Sequence, residues 1–355
     1  MMSDTPQPST DSGNEVVRGS ADDFAFLRVP GLGFCVGRGP FRELADEPGD
    51  GVDAFYAGDF QMTDPRPWKV PASFWVADDL TALAKHIGET LPEISWDSPG
   101  FRQWEGVFSK VSRDLSAGRY EKIVPAVVES GRVVSGDLDA LVHRLPELPE
   151  EYWTYGYRVG SRGLVGATPE RLFSLTGDEL ITMALAGTAP VERRAPFVND
   201  PKQIREHEIV VRYLIDALDP LGEVVREKRE VMSLGSIVHF RSALKVKLSE
   251  SPGVDALVRR LHPTPALGVL PRNAENLELL GEMRDRLGVP KRFGAPFGVR
   301  VGGSFHGVVG IRHICWRGTH ALLPAGCGVI AESECENEWK ELAIKRESVK
   351  RLFGI

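Results

Sequence analysis

Two segments with helical periodicity have the most informative pattern of apolar and polar positions in the chain. Over residues 205–218, apolar residues recur every three to four positions, which predicts an amphipathic helix. Over residues 338–353, the apolar positions Leu342, Val349 and Leu352 mark a second helical stripe. Each helix therefore has one face that is expected to pack against the protein interior.

The rest of the chain alternates short apolar runs with helical patterns. Runs separated by Gly and Pro between Phe24 and Val76 are typical of antiparallel strands joined by tight turns. Further strands are predicted at 122–129, 153–158, 163–166, 171–175, 179–185, 236–248, 297–302, 305–312 and 318–330. Further helices are predicted at 78–87, 101–117, 137–144, 253–261 and 273–287. Runs of strands interrupted by single helices indicate an α+β fold with mixed or antiparallel sheets.

The domain organisation is predicted to be simple. Residues 24–355 contain no linker rich in Pro, Gly and Ser, so one large domain is expected rather than two. Residues 1–23 are polar and lack the basic region and apolar core of a signal peptide. We expect this first segment to be a disordered tail.

Composition excludes several classes of protein. The chain has 42% apolar residues, 26% charged residues and a net charge of −7, as is ordinary for a soluble globular protein. No basic block favours a nucleic-acid partner, and no run of about 18 apolar residues favours a membrane span. The four cysteines are scattered, which fits the reduced thiols of a cytoplasmic protein better than a disulfide framework.

Carboxylates at the starts of the two helices are candidates for chemistry. Glu206 extends the apolar stripe of its helix by one turn, and Glu338, Glu341 and Lys345 share one face beside the stripe of theirs. Buried carboxylates need a cation or a proton, so two helices that each direct one inward suggest a shared magnesium ion. The alternative, a solvated acidic first turn that favours the helix dipole, stays open for the last helix taken alone.

An ordered series of short motifs adds to this pattern. The chain contains, in order, Lys122-Ile-Val, Gly166-Ala-Thr-Pro-Glu-Arg-Leu, Leu185-Ala-Gly-Thr, Arg205-Glu-His-Glu-Ile-Val-Val, Leu261-His-Pro-Thr-Pro-Ala, Ala325-Gly-Cys-Gly-Val-Ile and Glu338-Trp-x-Glu-x-x-x-Lys. Each motif alone is ordinary loop or helix punctuation. Together, over residues 100–355, they resemble the chorismate-utilising enzymes: isochorismate synthases, salicylate synthases, and the large subunits of anthranilate and aminodeoxychorismate synthases.

The resemblance implies a fold and a ligand set. The fold would be a single large α+β domain in which antiparallel sheets surround the active site and helices pack outside. Magnesium would be ligated by Glu206 and Glu341, with Glu338 holding a metal-bound water. The substrate would be chorismate, in a monomer without a glutamine amidotransferase subunit. The residues implied to bind it are Gly187, Thr188, His239, Ala266, Leu267, Arg312, Gly326, Cys327, Gly328 and Lys345.

The resemblance also implies the reaction type. Ammonia-using members have Gln where this chain has Lys122, so water is the expected nucleophile and Lys122 the general base. Glu170 would be the general acid that protonates the leaving hydroxyl. The alternative for Lys122 is a surface lysine at a strand start.

The position of Ala266 bears on where the reaction stops. Members that also expel pyruvate tend to have Thr there, so Ala266 and Leu267 favour an isochorismate synthase over a salicylate synthase. Four departures from the family pattern, Val127, Gln203, Val269 and Phe293, leave a non-catalytic relative open. The sequence does not decide whether the product would serve siderophore or menaquinone biosynthesis.

Overall fold

The computed structural model describes residues 15–250 and 252–355, and strands dominate it. The strands are β1 (Glu15–Arg18), β2 (Phe24–Val29), β3 (Gly33–Leu44), β4 (Ala54–Ala57), β5 (Trp68–Ala77), β6 (Glu93–Asp97), β7 (Lys122–Ile123), β8 (Ala126–Ser135), β9 (Trp153–Val159), β10 (Arg162–Thr168), β11 (Arg171–Thr176), β12 (Glu179–Pro190), β13 (Gly222–Arg226), β14 (Glu230–Leu234), β15 (Ile237–Leu248), β16 (Val269–Leu270), β17 (Pro296–Val301), β18 (Ser304–Val309), β19 (His313–Arg317) and β20 (His320–Gly326).

Helices fall between groups of strands, as the sequence predicts. The α-helices are α1 (Thr81–Ala84), α2 (Phe101–Ser116), α3 (Arg194–Phe197), α4 (Pro201–Leu218), α5 (Val254–Leu261), α6 (Ala274–Arg286) and α7 (Cys335–Phe353). Short 3-10 helices span Leu138–Glu147, Val191–Arg193 and Asp219–Leu221. None of the helices in the described residues is long and apolar enough to cross a membrane.

Antiparallel pairing joins 18 of the strands into one continuous sheet. Neighbouring strands follow the path β6, β8, β20, β19, β10, β9, β2, β3, β5, β4, β17, β18, β11, β12 and β15. The long pair β12 and β15 runs from Glu179 opposite Lys247 to Pro190 opposite Ile237. The prediction of an α+β domain built on antiparallel strands is therefore confirmed.

The hydrophobic core lies in layers on both faces of this sheet. One cluster consists only of strand residues, among them Phe41, Phe55, Tyr155 and Phe297, so the sheet folds back against itself there. The largest cluster joins strand residues to the apolar faces of α2, α4, α5, α6 and α7. Helices thus cover the outside of the sheet, which fixes the starts of α4 and α7 against the strand ends.

Three predictions about elements need correction. The N-terminal boundary is wrong, because β1 pairs with β3 from Glu15 opposite Leu44; residues 1–14 of the predicted tail lie outside the described residues. The helix predicted at 78–87 is reduced to α1. The strand predicted at 122–129 is two strands, because Pro125 has no N–H to continue the ladder. As a result β7 pairs with β16, whereas β8 pairs with β20.

Candidate active site

Three helix carboxylates and a strand-end lysine come together where α4, α7 and β7 meet. Asp200 caps α4 by accepting hydrogen bonds from the backbone of Lys202 and Gln203, so the helix begins just before Glu206. Glu206 is 6% exposed and Glu338 is 1% exposed, whereas Glu341 is half-buried. The inward direction predicted for Glu206 and Glu338 is therefore observed.

Each of these carboxylates is paired with its own lysine. The Lys122 Nζ atom lies 2.9 Å from Glu206 Oε1, and the Lys345 Nζ atom lies 2.7 Å from Glu341 Oε1. The third pair joins Lys202 Nζ to Glu338 Oε1 at 2.8 Å. Sequence reasoning missed Lys202, although its position four residues before Glu206 on the same helix face was an available signal.

The donor set suits a divalent cation of the magnesium type. Among the described residues, Glu338 Oε2 is buried without a hydrogen-bond partner, and burial together with the neighbouring Glu341 carboxylate raises the pKa of Glu338 to about 7. Although burial acts to raise it, Lys122 and Lys202 hold the pKa of Glu206 below its usual range. All the donors are carboxylate oxygens, which magnesium prefers. As the described side chains stand, no three converge on a metal position, since each is turned toward a lysine.

A cavity of about 640 Å³, including its open mouth, lies beside these pairs. Most of the residues predicted from the sequence line it: Glu170, Gly187, Thr188, Glu206, His239, Ala266, Leu267, Arg312, Gly326, Gly328 and Lys345. Its apolar wall includes Leu185, Phe293 and Val349. Glu338 and Glu341 instead line a second cavity of about 1180 Å³, including its open mouth, which we call the vestibule.

Gly328 lines the cavity and lies against the buried Lys122 side chain. A Cβ atom at this position would lie 2.1 Å from Glu206 Oε1 and 2.7 Å from Lys122 Cε. The absence of a side chain at Gly328 therefore allows the Lys122 and Glu206 pair to pack directly behind the cavity wall. Lys122 is fully buried, which excludes the alternative of a surface lysine at a strand start.

The carboxyl group of Glu170 is the strongest acid candidate. It follows β10, is 4% exposed, and forms no ion pair with another described residue. Burial raises the pKa of Glu170 to about 7, although Lys122 and Lys345 partly offset this effect. A large fraction of the group is therefore protonated at neutral pH and can donate a proton.

Arg312 presents a buried positive charge to the cavity. Its guanidinium group is hydrogen-bonded to Ser348 Oγ at 2.5 Å and to His239 Nε2 at 3.2 Å. Among the described residues it has no carboxylate partner within ion-pair distance, and burial lowers its pKa. A desolvated guanidinium without a counter-ion favours an anionic ligand, above all a carboxylate that accepts two hydrogen bonds.

His239 is a neutral side chain that positions this guanidinium. Burial, with the charges of Arg312 and Lys345, lowers the pKa of His239 to about 3. Its Nδ1 atom lies 2.9 Å from the carbonyl oxygen of Gly187 and therefore carries the proton. Nε2 is then free to accept the hydrogen bond from Arg312, so the imidazole links the β12 strand end to the anion site.

Gln203 and Cys327 are held by backbone hydrogen bonds beside the cavity. Gln203 Oε1 accepts a hydrogen bond from the backbone N–H of Thr188 at 2.8 Å, so this side chain holds the strand end that lines the cavity. The backbone N–H of Cys327 donates to the carbonyl of Pro125 at 3.3 Å, and its thiol lies in the apolar core. Of the three consecutive residues, Gly326 and Gly328 line the cavity and Cys327 does not, so a contact of Cys327 with substrate stays a prediction.

Comparison with known proteins agrees with this geometry. Residues 78–354 match the sequence profile of a family described as chorismate binding enzyme. The isochorismate synthase MenF of Bacillus subtilis is 30% identical over 351 residues, covering 87% of this chain and 72% of that protein.

A second relative aligns with this chain over a shorter segment. The salicylate biosynthesis isochorismate synthase of Pseudomonas aeruginosa is 29% identical over 272 residues, covering 72% of this chain. This chain spans only 56% of the length of that relative.

Solved structures show the same fold. MenF, the menaquinone-specific isochorismate synthase from Escherichia coli, superposes with a TM-score of 0.76 at 18% identity, covering 93% of this chain and 88% of that one. The match of the family profile to most of the chain decides the classification. This chain therefore belongs to the family of chorismate-binding enzymes.

Proposed function

We propose that this chain is a magnesium-dependent isochorismate synthase, which converts chorismate to isochorismate by adding water at C2 of the ring and losing the C4 hydroxyl. The observation that carries the proposal is one cavity with a buried acid protonated near neutral pH, Glu170, and Lys122 behind its wall at Gly328. The names of the B. subtilis, P. aeruginosa and E. coli relatives support the same reaction.

Lys122 and Glu170 divide the proton transfers between them. As the oxygen of water bonds to C2, Lys122 takes a proton from that water, the ring double bond shifts, and the C4–O bond breaks. Glu170 gives its proton to the departing hydroxyl, which leaves as water, so the atoms of the substrate are conserved. Lys122 Nζ is held by Glu206 behind the cavity wall, so this contact must open before the amine can reach a water in the cavity.

The anionic substrate is held by positive groups of the cavity. Arg312 lacks a carboxylate partner among the described residues, so it is the best candidate to bind one carboxylate of chorismate. Lys345 also lines the cavity, and its Nζ atom lies 2.9 Å from the carbonyl oxygen of Gly326. Apolar contacts from Leu185, Leu267 and Phe293 would cover the ring and exclude bulk water.

Glu206 and Glu341 would hold the magnesium ion, with Glu338 holding a bound water. The bound ion would supply positive charge beside the ring carboxylate. Two features support this: the donors are all carboxylate oxygens, and Glu338 Oε2 is a buried acceptor without a partner in the part of the chain that the structure describes.

Product analysis tests the proposal. The protein is incubated with chorismate and Mg²⁺, the products are resolved by liquid chromatography, and pyruvate is followed with lactate dehydrogenase. We expect isochorismate in equilibrium with chorismate, with little pyruvate and no turnover in excess EDTA. Pyruvate released as fast as chorismate disappears would identify a salicylate synthase instead. Chorismate binding without turnover would identify a non-catalytic relative.

A further inference from the structure

Lys202 is a charged side chain that the reaction steps do not use. It lies in the first turn of α4, one position after Pro201, and reaches across to α7. Its Nζ atom is 2.8 Å from Glu338 Oε1 and 3.9 Å from Glu206 Oε2. Lys202 therefore connects carboxylates from both helices that form the candidate metal site.

The ammonium group of Lys202 is a permanent cation in this position. The carboxylates of Glu338 and Glu206 lie within ion-pair distance of it, and the charge of Glu341 adds to this attraction. The three side chains that stabilise its charge are the same three that would hold magnesium. An ammonium ion and a divalent cation repel each other, so the two compete for the oxygens of one carboxylate cluster.

The vestibule provides space for the Lys202 side chain to move away from the carboxylates. Its side chain is 21% exposed, whereas the Glu338 side chain is 2% exposed. Lys202 also lines the vestibule of about 1180 Å³, together with Asp200, Glu332 and Glu334. A long flexible side chain can therefore turn outward toward these other acidic groups, whereas the Glu338 side chain is almost completely buried.

We propose that Lys202 is an internal counter-ion of the carboxylate cluster, which the entering magnesium ion must displace, so that this lysine weakens metal binding. This inference rests on the proposed function, because it needs a divalent cation at Glu206 and Glu341. In the metal-free protein Lys202 keeps Glu338 from being a buried charge without a partner, which is costly. On metal binding, the side chain turns into the vestibule.

Calorimetric titration of Mg²⁺ into the metal-free protein measures this competition without turnover. The variant Lys202→Met removes the charge and keeps most of the apolar stem. A charged hydrogen bond contributes enough to change an equilibrium constant by about tenfold or more. We therefore expect K202M to bind Mg²⁺ at least about tenfold more tightly than wild type, and Lys202→Arg to stay close to wild type.

Lys350→Met is the matched control. Lys350 forms a similar buried pair, with its Nζ atom 2.7 Å from Glu129 Oε1, outside the cavity and the vestibule. K350M should lower the melting temperature without changing Mg²⁺ affinity. K202M should lower the melting temperature only in metal-free buffer and recover on addition of Mg²⁺, since the ion replaces the lost charge. If K202M does not fold, Lys202→Gln serves for the same titration.

The outcomes separate this inference from the proposed function. If wild type makes isochorismate with Mg²⁺ but the uncharged variant binds the ion no more tightly, the role of Lys202 is refuted and the function stands. Weaker binding by the variant would mean that Lys202 supports the metal site, which also refutes the inference. If neither protein binds Mg²⁺ and neither turns over chorismate, both proposals fail.

Discussion

Substitution of Gly328 by Ala is the sharpest structural test of the candidate active site. The backbone of Gly328 is not in the left-handed region, so alanine is permitted there and only space is at issue. The added Cβ atom would lie 2.1 Å from Glu206 Oε1 and 2.7 Å from Lys122 Cε. Non-bonded carbon atoms are at their optimum about 3.5 Å apart or more, so both side chains must retreat by about 1 Å.

The displaced groups are the proposed base and a proposed metal ligand, so the effect should fall mainly on activity. A misplacement of about 1 Å can reduce the rate about a hundredfold. Overpacking a buried site costs about 1–3 kcal/mol, and the lower end is expected because the atoms that clash are near the ends of flexible side chains. We therefore expect G328A to fold, to melt within a few degrees of wild type, and to lose about a hundredfold in kcat/KM.

The assay compares initial rates of isochorismate formation at saturating Mg²⁺ with melting curves for the same preparations. Gly88→Ala is the matched control, because Gly88 has no heavy atom within 4 Å of the added Cβ and an ordinary backbone conformation. G88A should keep wild-type activity. If folded G328A retained more than about half of the wild-type kcat/KM, the packing of Lys122 and Glu206 behind Gly328 would be irrelevant to catalysis.

Three further predictions concern the acid, the metal and the product. Loss of a general acid or base typically lowers rate by about 10²–10⁴, so Glu170→Gln and Lys122→Ala should each do so while still binding chorismate. Because Glu170 must be protonated to donate and its pKa in the free protein is about 7, wild-type kcat/KM should fall as pH rises through that value; a kcat/KM that is flat across this range would remove Glu170 from the mechanism. Glu341→Gln should keep the fold and abolish magnesium-dependent turnover; near-normal turnover with unchanged magnesium dependence would contradict its assignment as a ligand. Ala266→Thr should raise pyruvate release in the lactate dehydrogenase assay, since a hydroxyl could orient the enolpyruvyl group; no change would show that position 266 does not control where the reaction stops.

Much of the fold follows from local pattern. Helical periodicity predicts α2, α4, α5, α6 and α7, and period-two and turn signals predict most strands, because these depend on neighbours close in sequence. The missed strands β13 and β14 are short and largely exposed, so they lack an apolar signal. The first strand, β1, was missed because its stability comes from pairing with β3 rather than from its own composition.

Part of the candidate site, too, could be predicted from local sequence, and part could not. The direction of Glu206 and Glu338 could be read from their place beside an apolar stripe, and the motif series indicated the family. The long-range pairs could not be read, because Lys122 pairs with Glu206 across 84 residues and Lys202 with Glu338 across 136 residues. The place of Lys202 four residues before Glu206 was the one local signal.

The sequence by itself determined most of the elements, the family and the inward carboxylates, since each depends on periodicity or on the order of motifs. The tertiary structure alone decided that Cys327 turns into the core, that Gly328 lies against Lys122, and that Lys202 lies among the carboxylates. These facts depend on which helix start meets which strand end, and that is fixed by packing of the whole sheet rather than by any local segment.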